Sequence, residues 1–388
     1  MIDKKLYIAT VALLFISLVA VYSLSIFPTL YFDTNEFAFL KKQAISVLIA
    51  IFLLTLIAHM NPYTVFKPLG FLIFTLSFIA IALMLVLPDS LVRAVLGAKR
   101  WIKFGGISIA PTEFFKVGFV FFLSWSIARK YQDLQKAKTV VSEFLSVFPY
   151  FFIFIVAALI IAIGQKDLGQ VVVLGTIFLS LLYLTNRSKA FFVSIFVFAI
   201  TSVIALIIIA PHRISRFKGW WVEKQDFFLN LLPESLAKSL KITDTTTPLH
   251  IINSKNAIYH GGLFGEGLGN GQFKLGYLSE VHTDFILAGI TEELGLIGLF
   301  FILAIFFYII YRIIFIGKHL KALNEKLFAY GVALTFIISF LINAFGITGI
   351  IPIKGIAVPF LSYGGSQIIA SSIAVAMVLM LSRKVEEK

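Results

Sequence analysis

The sequence has no cysteine and little charge for a chain of 388 residues. Without Cys, the chain cannot form disulfides, thiolate nucleophiles or Cys-ligated zinc and iron–sulfur sites. Only 14% of its residues are charged and 59% are hydrophobic, whereas an average soluble domain has about 25% charged and about 45–50% apolar residues. These proportions exclude a soluble enzyme with one lipid anchor and predict a membrane protein.

The charges that are present are mostly positive, with a formal net charge of +13. In a soluble chain this excess would suggest nucleic acid, but a mean hydropathy of +0.97 leaves no polar domain to bind it. We therefore expect no nucleic-acid partner. An anionic membrane lipid, or an anionic lipid-linked substrate, is the expected partner.

Apolar stretches long enough to cross a bilayer recur from one end of the chain to the other. A hydrocarbon core about 30 Å thick needs roughly 20 apolar residues of helix. We predict an all-α, polytopic membrane protein with ten transmembrane helices, folded as a single domain over residues 1–388. The predicted spans are 6–27, 43–59, 69–87, 112–129, 148–164, 170–185, 190–210, 285–316, 327–350 and 359–382.

The distribution of Lys and Arg predicts the orientation of these helices. Sixteen of the 33 lie on the side of the N-terminus, and eight lie in short loops on the opposite side. Long loops do not count in this rule, which excludes the eight cations in the large loop at 211–284. Both termini are therefore predicted to be cytoplasmic. The large loop, between predicted helices 7 and 8, is then extracytoplasmic.

The loop at 211–284 is the only sizeable polar insertion. Its first part, 211–250, mixes Trp and Phe with Lys and Ser, and is predicted to form short amphipathic helices along the membrane surface. Its last part reads GGLFGEGLGNGQFKLG from Gly261 to Gly276. This glycine density forbids a stable helix and lets the backbone approach another surface closely. No strand–helix unit surrounds the glycines, so a dinucleotide site is not predicted.

The segment EVHTDF ends this loop and contains the most informative ionisable residue, Asp284. Ionisable groups at membrane depth or at a helix mouth are costly and are therefore candidates for function. Asp284 stands at the outer mouth of the predicted eighth helix, with His282 and Thr283 before it. It could be an N-cap favoured by the helix dipole, or a functional carboxylate.

Glu292 and Glu293 follow in the same predicted helix, roughly 12–14 Å deeper at about 1.5 Å per residue. Helix capping does not explain acids at that position. One of them could pair with Lys116 or with a backbone group, and both are candidate substrate-binding residues.

A second cluster reads GAKRWIKF and supplies Lys99, Arg100, Trp101 and Lys103 on the predicted outer side. The cations could form a rim for a phosphate-bearing lipid while Trp101 packs at the headgroup level. Basic rims are common at membrane interfaces, so the pattern alone does not decide for substrate binding.

The motif PTEFFK begins the predicted fourth helix at Thr112 or Glu113. Glu113 and Lys116 then lie one turn apart on the same helix face. They form either a plain ion pair at the interface or part of the site beside the basic rim.

Two further segments carry candidates. The short loop GQKDLGQ places Asp167 at a turn, where it either caps the sixth helix or makes a buried polar contact inside the bundle.

Near the C-terminus, PIKGIAVPFLSYGGS enters the tenth helix through two prolines and a glycine pair, with Ser362 among them. Small residues there permit close helix packing or a broken helix. The six His residues show no metal-ligand spacing, so no structural zinc site is predicted.

Taken in order, these motifs resemble the FtsW/RodA/SpoVE family of shape, elongation, division and sporulation (SEDS) proteins. The resemblance covers nearly the whole chain and rests on GAKRWI with PTEFFK, KDLG, GLFGEGLGNGQFKLGYLSEVHTDF with EELG, and GIAVPFLSYGGS. The stretch KLGYL is more similar to the FtsW branch than to the RodA branch. Ser279 replaces a usual proline, Thr112 a commoner serine, and 221–250 is longer than expected. These departures leave the docking of a partner on the outer loop in doubt.

The resemblance implies a peptidoglycan glycosyltransferase in the bacterial cytoplasmic membrane that polymerises lipid II, adding it to a lipid-linked nascent glycan on the outer face. It also implies Asp284 as the catalytic residue. The implied partners are a class B penicillin-binding protein transpeptidase and other divisome or elongasome membrane proteins.

This chemistry is reasonable for the residues themselves. Lipid II is a glycosyl pyrophosphate with a good leaving group, so one base for the acceptor hydroxyl and some cations for the pyrophosphate suffice. Asp284 would be the general base of an inverting transfer that forms a β-1,4 bond. The candidate cations are Lys99, Arg100, Lys103 and Lys116. A divalent cation, Mg²⁺ or Mn²⁺, is neither required nor excluded, and no other cofactor is expected.

Other functions stay open at this point. A RodA-like role in elongation would use the same chemistry. A lipid II flippase would suit the intramembrane charges, but inverted repeats are not evident and the favoured acid lies at a helix mouth and not at the midplane. A non-catalytic scaffold would leave the carboxylate beside a Gly-rich loop and a basic rim unexplained.

Overall fold

The structure is a computed structural model. It describes residues 2–27, 35, 37–88, 90–92, 98–104, 107–131, 139–185, 188–230, 233–242, 249–278 and 280–385. Five of the cations counted for the orientation rule lie outside these ranges: Arg93, Lys136, Lys138, Arg187 and Lys388. The same holds for Gly97 and Ser279 of the family motifs and for 231–232 and 243–248 of the outer loop.

Helices account for most of the described chain. In chain order they are α1 (Lys4–Leu24), α2 (Ala38–His59), α3 (Pro62–Leu83), α4 (Pro111–Arg129), α5 (Val140–Leu159, continued by a π-helical turn at Ile160–Gly164), α6 (Leu168–Tyr183), α7 (Lys189–Ile208), α8 (Pro211–Leu229), α9 (Glu234–Leu240), α10 (Leu249–Gly261), α11 (Ile286–His319), α12 (Leu323–Ile347) and α13 (Gly365–Ser382).

Each of the ten predicted spans falls on one of these helices, and eight helices in the described ranges are long and apolar enough to cross a membrane. The other two predicted spans correspond to α4, which carries Glu113 and Lys116, and to α6, which has 16 residues. The multi-pass, helical fold is therefore confirmed, while the count of ten stays a prediction.

The C-terminal helix α13 lies at the centre of the bundle, where it packs mainly against α2 and α4. Most of its side chains are buried. Helices α3 and α4 approach each other closely at Gly118 of α4. A Cβ on this residue would lie 2.5 Å from the Cα of Phe74 in α3. Aromatic rings fill the space between these helices, as where Phe66 meets Phe121 and Phe328 edge to face. By contrast, α7 is mostly exposed on the outside of the bundle.

Three local features differ from the prediction. A two-stranded antiparallel hairpin, β1 (Ile102–Phe104) and β2 (Ile107–Ile109), follows the basic cluster in an otherwise helical chain. The loop at 211–284 contains α8, which is longer than a short surface helix and is fixed by the buried Arg213 donating to the carbonyls of Ala162 and Leu206. The tenth span begins at Gly365 and not at 359, because 359–364 form turns.

The Gly-rich segment contains no helix after Gly261, as predicted, and it lies against a break in α11. Gly295 has φ 69° and ψ −179°, which interrupts the helix and leaves the next amides without helical partners. The N–H of Leu296 donates to the carbonyl of Gly262 at 3.0 Å instead. A Cβ on Gly265 would lie 2.3 Å from the carbonyl oxygen of Glu293. The glycines therefore allow the close backbone approach that the sequence indicated.

Candidate active site

Asp284 lies in the turn that precedes α11, two residues before the helix begins. The N-cap residue is Phe285, and no side chain makes a capping hydrogen bond there. The capping interpretation of Asp284 is therefore wrong. No donor within the described ranges forms a hydrogen bond or ion pair with its carboxylate, which is only partly buried. This carboxylate is accordingly free to accept a proton from a bound molecule.

The surroundings of Asp284 tune its acidity. Burial raises the pKa of this carboxyl from its ordinary value of 3.8 to about 6, and the nearby Glu280 carboxylate adds to the rise. Arg100 and Arg216 act in the opposite direction, because each favours the ionised form. A pKa slightly below neutral suits a general base, since the group is mostly ionised at pH 7 but still binds a proton effectively.

Arg100 is held beside this carboxylate by the KDLG loop. Its Nε lies 3.3 Å from Oδ2 of Asp167, and its guanidinium also donates to the carbonyls of Gln165 and Lys166. A π-helical turn at the end of α5 and a left-handed Lys166 (φ 52°) form the backbone of this loop. Arg100 is thus a positioned cation.

Asp167 fulfils both of its predicted roles. Its carboxylate accepts the N–H of Gln170 as the N-cap of α6, and it also pairs with Arg100 inside the bundle. Burial raises the pKa of the Asp167 carboxyl, while the Arg100 guanidinium opposes that rise.

The predicted pair in α4 is confirmed. The Nζ of Lys116 lies 2.8 Å from Oε2 of Glu113, and the other Glu113 oxygen accepts from Gln170 Nε2 at 3.0 Å. Thr112 donates to the amide oxygen of Gln165 at 2.7 Å. The start of α4 is therefore joined to the KDLG loop by two side-chain hydrogen bonds, and the charge of Lys116 is already compensated by Glu113.

The C-terminal segment leading to α13 forms the other wall. Ser362 is fully buried and donates to the carbonyl of Thr283 at 2.8 Å, and the N–H of Tyr363 donates to the carbonyl of His282 at 2.9 Å. Gly355 has φ 60°, and a Cβ there would lie 2.8 Å from Oδ2 of Asp284. This glycine thus leaves the space that the carboxylate occupies.

Five other predicted site residues lie near Asp284 in sequence or in the basic cluster at 97–104. His282 is buried, packs edge to face on Phe39 and at a tilt against Tyr363, and burial lowers its pKa. The hydroxyl of Thr283 donates to Glu280. Trp101 precedes β1 and is partly buried, and the side chain of Lys103 on β1 is exposed. The side chain of Lys99 is partly exposed.

Glu292 and Glu293 hold the Gly-rich segment and do not face Asp284. Glu293 pairs with the buried Lys274 at 2.6 Å and accepts a hydrogen bond from Ser23. Glu292 accepts the N–H groups of Gln272 and Phe273. Both acids therefore have partners other than Lys116, and the geometry favours a structural role for them.

The sequence reasoning missed three cations that the fold brings towards this site: Arg213, Arg216 and Lys354. The charge of Arg216 lowers the pKa of Asp284. Burial is the main cause that lowers the pKa of Lys354, and the charges of Arg216 and Arg213 lower it further. No described carboxylate lies within ion-pair distance of Arg216 or Lys354. Both belong to segments remote from Asp284 in sequence, so no local spacing could have indicated them.

Comparison with known proteins decides the family. The FtsW/RodA/SpoVE model, described as a cell cycle protein, matches residues 4–387. The chain belongs to this family. It is 41% identical over 382 residues, 98% of each chain, to a probable peptidoglycan glycosyltransferase FtsW of Helicobacter pylori strain 26695. It is 31% identical to the stage V sporulation protein E of Bacillus subtilis, covering 98% of this chain and 97% of that one.

Solved SEDS structures share the fold. One chain of a peptidoglycan synthase complex, described as coordinating polymerization and crosslinking, superposes with a TM-score of 0.72 at 18% identity, covering 100% of this chain and 99% of that one. The rod shape determining protein RodA of Thermus thermophilus gives a TM-score of 0.65 with the same coverage and identity. The expected family fold is therefore confirmed over the whole chain.

Proposed function

We propose that this protein is a peptidoglycan glycosyltransferase of the FtsW type, acting in cell division on the outer face of the bacterial cytoplasmic membrane with both termini in the cytoplasm. The observation that carries the proposal is the Asp284 carboxylate, which has no hydrogen-bond or ion-pair partner among the described residues. Burial and the Glu280 carboxylate raise its pKa to about 6, while Arg100 and Arg216 oppose the rise. Full-length similarity to FtsW proteins supports the division role over a RodA-like role in elongation.

In this proposal Asp284 is the general base. It takes the proton from the 4-hydroxyl of the GlcNAc in the lipid II acceptor as that oxygen attacks the anomeric carbon of MurNAc in the lipid-linked nascent glycan. The bond from the anomeric carbon to the pyrophosphate breaks, the polyprenyl pyrophosphate leaves, and inversion gives a β-1,4 linkage. Asp284 then returns the proton to water. A single base suffices because the leaving group is already a stable anion.

Cations around Asp284 would bind the pyrophosphate. Arg100 is held rigidly, while Arg216 and Lys354 have no ion-pair partner in the described part of the chain. Charge neutralisation by preorganised cations is most effective in a partly dehydrated site. Lys99 and Lys103 would extend the rim, whereas Lys116 is already paired with Glu113. No three His, Asp or Glu side chains among the described residues group as a metal site. The proposal neither requires nor excludes a Mg²⁺ or Mn²⁺ ion bound with the pyrophosphate.

A class B penicillin-binding protein transpeptidase is the proposed partner, which would cross-link the new strands. The crosslinking described for the synthase complex that shares this fold supports this proposal. Helices α8–α10 are the candidate docking region, because they belong to the large loop that the charge distribution predicts to be extracytoplasmic.

The decisive experiment compares the wild type with Asp284→Asn, each purified with its transpeptidase partner and supplied with lipid II. We expect the variant to insert and bind the partner but to make no glycan polymer. Unchanged glycan products from the variant would refute Asp284 as the base. A wild type that moved labelled lipid II across liposomes without making polymer would instead support the flippase function.

A further inference from the structure

Asn343, near the outer end of α12, joins two loop segments that meet at Asp284. Its Nδ2 donates to the backbone carbonyl of Asp284 at 2.7 Å and to that of Ile356 at 2.8 Å. Asn343 is 5% exposed, so its amide makes both bonds inside the protein, and its loss would remove a donor from two backbone carbonyls. A flipped amide would set Oδ1 against both carbonyl oxygens, and the two bonds therefore fix the amide orientation.

The Asn343 bonds are part of a continuous backbone clamp. The carbonyls of three consecutive residues, His282, Thr283 and Asp284, each accept one hydrogen bond from Tyr363, Ser362 and Asn343 respectively. Asn343 makes the contact closest to the carboxylate, because it holds Asp284 itself. Tyr363 and Ser362 hold the backbone of His282 and Thr283, which precede Asp284.

The same amide also fixes the surface under the carboxylate. Ile356 directly follows Gly355, whose missing Cβ leaves room for Oδ2 of Asp284. By holding the Ile356 carbonyl, Asn343 sets the distance between this glycine and the carboxylate. Movement of either segment by about an ångström would misplace a base that must reach one hydroxyl.

We infer that Asn343 is a positioning residue for the glycosyl transfer, acting on Asp284 through its backbone and through Gly355. The inference rests on the proposed function of Asp284. Asn343 does not contact the reacting atoms in this account. Its amide keeps the carboxylate aligned, so its loss should lower turnover and leave substrate affinity nearly unchanged.

The kinetic test uses Asn343→Ala, with Ser339→Ala as the matched control. Ser339 lies one turn earlier on the same face of α12, is equally buried and has no hydrogen-bond partner among the described residues. We expect kcat of Asn343→Ala to fall roughly 100-fold with KM for lipid II nearly unchanged, and Ser339→Ala to match the wild type. Equal kcat values for both variants would overturn the inference.

The pH profile separates positioning from a general loss of stability. A carboxylate released towards water loses part of the burial that raises its pKa, so the acid limb of kcat/KM should shift downwards in Asn343→Ala. If that variant does not fold, Asn343→Ser keeps one donor and should show a smaller change in the same direction. If Asn343→Ala is as stable as the wild type and the acid limb of its kcat/KM profile is not shifted, the inference is wrong.

A chemical test does not depend on glycosyl transfer. The natural chain has no Cys, so Asp284→Cys introduces a unique thiol. Its rate of modification by a thiosulfonate reagent should change several-fold when Asn343→Ala is added and stay constant when Ser339→Ala is added. If Asn343→Ala changes the modification rate of Asp284→Cys but the wild type makes no glycan polymer, the positioning role is retained and the proposed function is rejected. An unchanged rate would reject the positioning role whatever the activity.

Discussion

The Nζ of Lys274 lies 2.6 Å from Oε1 of Glu293, and the two side chains are only 1% and 2% exposed. Lys274 also donates to the carbonyl of Ser23 in α1, while the Ser23 hydroxyl donates to Glu293. This buried group connects the Gly-rich segment, α1 and the N-terminal part of α11. It therefore fixes the segment that leads into Asp284 without contacting Asp284 itself.

Removing one charge of this pair should destabilise the fold strongly. Lys274→Met leaves the Glu293 carboxylate buried without its cation, which costs about 3–5 kcal/mol in unfolding free energy. Unfolding in detergent, followed by helical circular dichroism, measures the loss. The double variant Lys274→Met with Glu293→Leu should be less destabilised than Lys274→Met alone, because no unpaired charge remains. A single variant as stable as the wild type would show that the pair contributes nothing.

Arg100 should contribute to the rate through both its charge and its fixed geometry. Arg100→Ala removes a charged donor that faces the proposed pyrophosphate site, so kcat/KM should fall about tenfold or more. It should also raise the pKa of Asp284, because a cation that favours the ionised form is lost. Arg100→Lys keeps the charge but cannot bind the Gln165 and Lys166 carbonyls in the same way. It should therefore lose rate with a smaller pKa change, and wild-type kinetics in Arg100→Ala would contradict this prediction.

The reaction should depend on pH through Asp284. Only the ionised carboxylate can accept the hydroxyl proton, and with a pKa of about 6 roughly nine-tenths of it is ionised at pH 7 but only about one-tenth at pH 5. We therefore expect kcat/KM to fall tenfold per pH unit below about pH 6, measured with lipid II in buffers of constant ionic strength. An acid limb near pH 4 would mean that the carboxylate is solvated and not tuned by burial.

The same pKa has a consequence for stability. The folded state holds the Asp284 proton more tightly than the unfolded chain, so ionisation of this group opposes folding as pH rises from about 4 to about 6. Asp284→Asn removes this term and should be at least as stable as the wild type at pH 7 in thermal unfolding. A markedly less stable Asp284→Asn would mean that its inactivity reports misfolding.

The sequence pattern predicted those structural features that depend on residues close together in the chain. Each apolar run that was predicted as a span falls on a helix, with ends that differ by up to eight residues, and the i, i+3 spacing predicted the Glu113–Lys116 pair. The break at Gly295 was not predicted, because the sequence EELG reads as continuous helix and the break is stabilised by carbonyls of Gly262 and Leu263 from another segment. Tertiary contact overrides helical pattern there.

The candidate site shows the same division. Asp284, Asp167 and Arg100 were found because each stands beside a helix start or in a basic motif. Asn343 and Arg216 were not found, because their role comes from packing against residues about 59 or more positions away in the chain. A buried Asn in an apolar helix is a usable signal, since an unpaired amide is costly, but its partners cannot be read from one sequence.

Arg216 should bind the anionic part of the substrate. It is exposed on α8, acts electrostatically on Asp284 and has no ion-pair partner among the described residues, whereas Lys218 lies two positions further on the same helix and exerts no such effect. Arg216→Ala should raise KM for lipid II about tenfold at low salt and much less at high salt, because exposed charges are screened within roughly 10 Å at 0.1 M salt. Lys218→Ala, which removes the same charge from the same helix, should leave KM unchanged. Equal effects of the two substitutions would show that net charge, and not the position of Arg216, attracts the substrate.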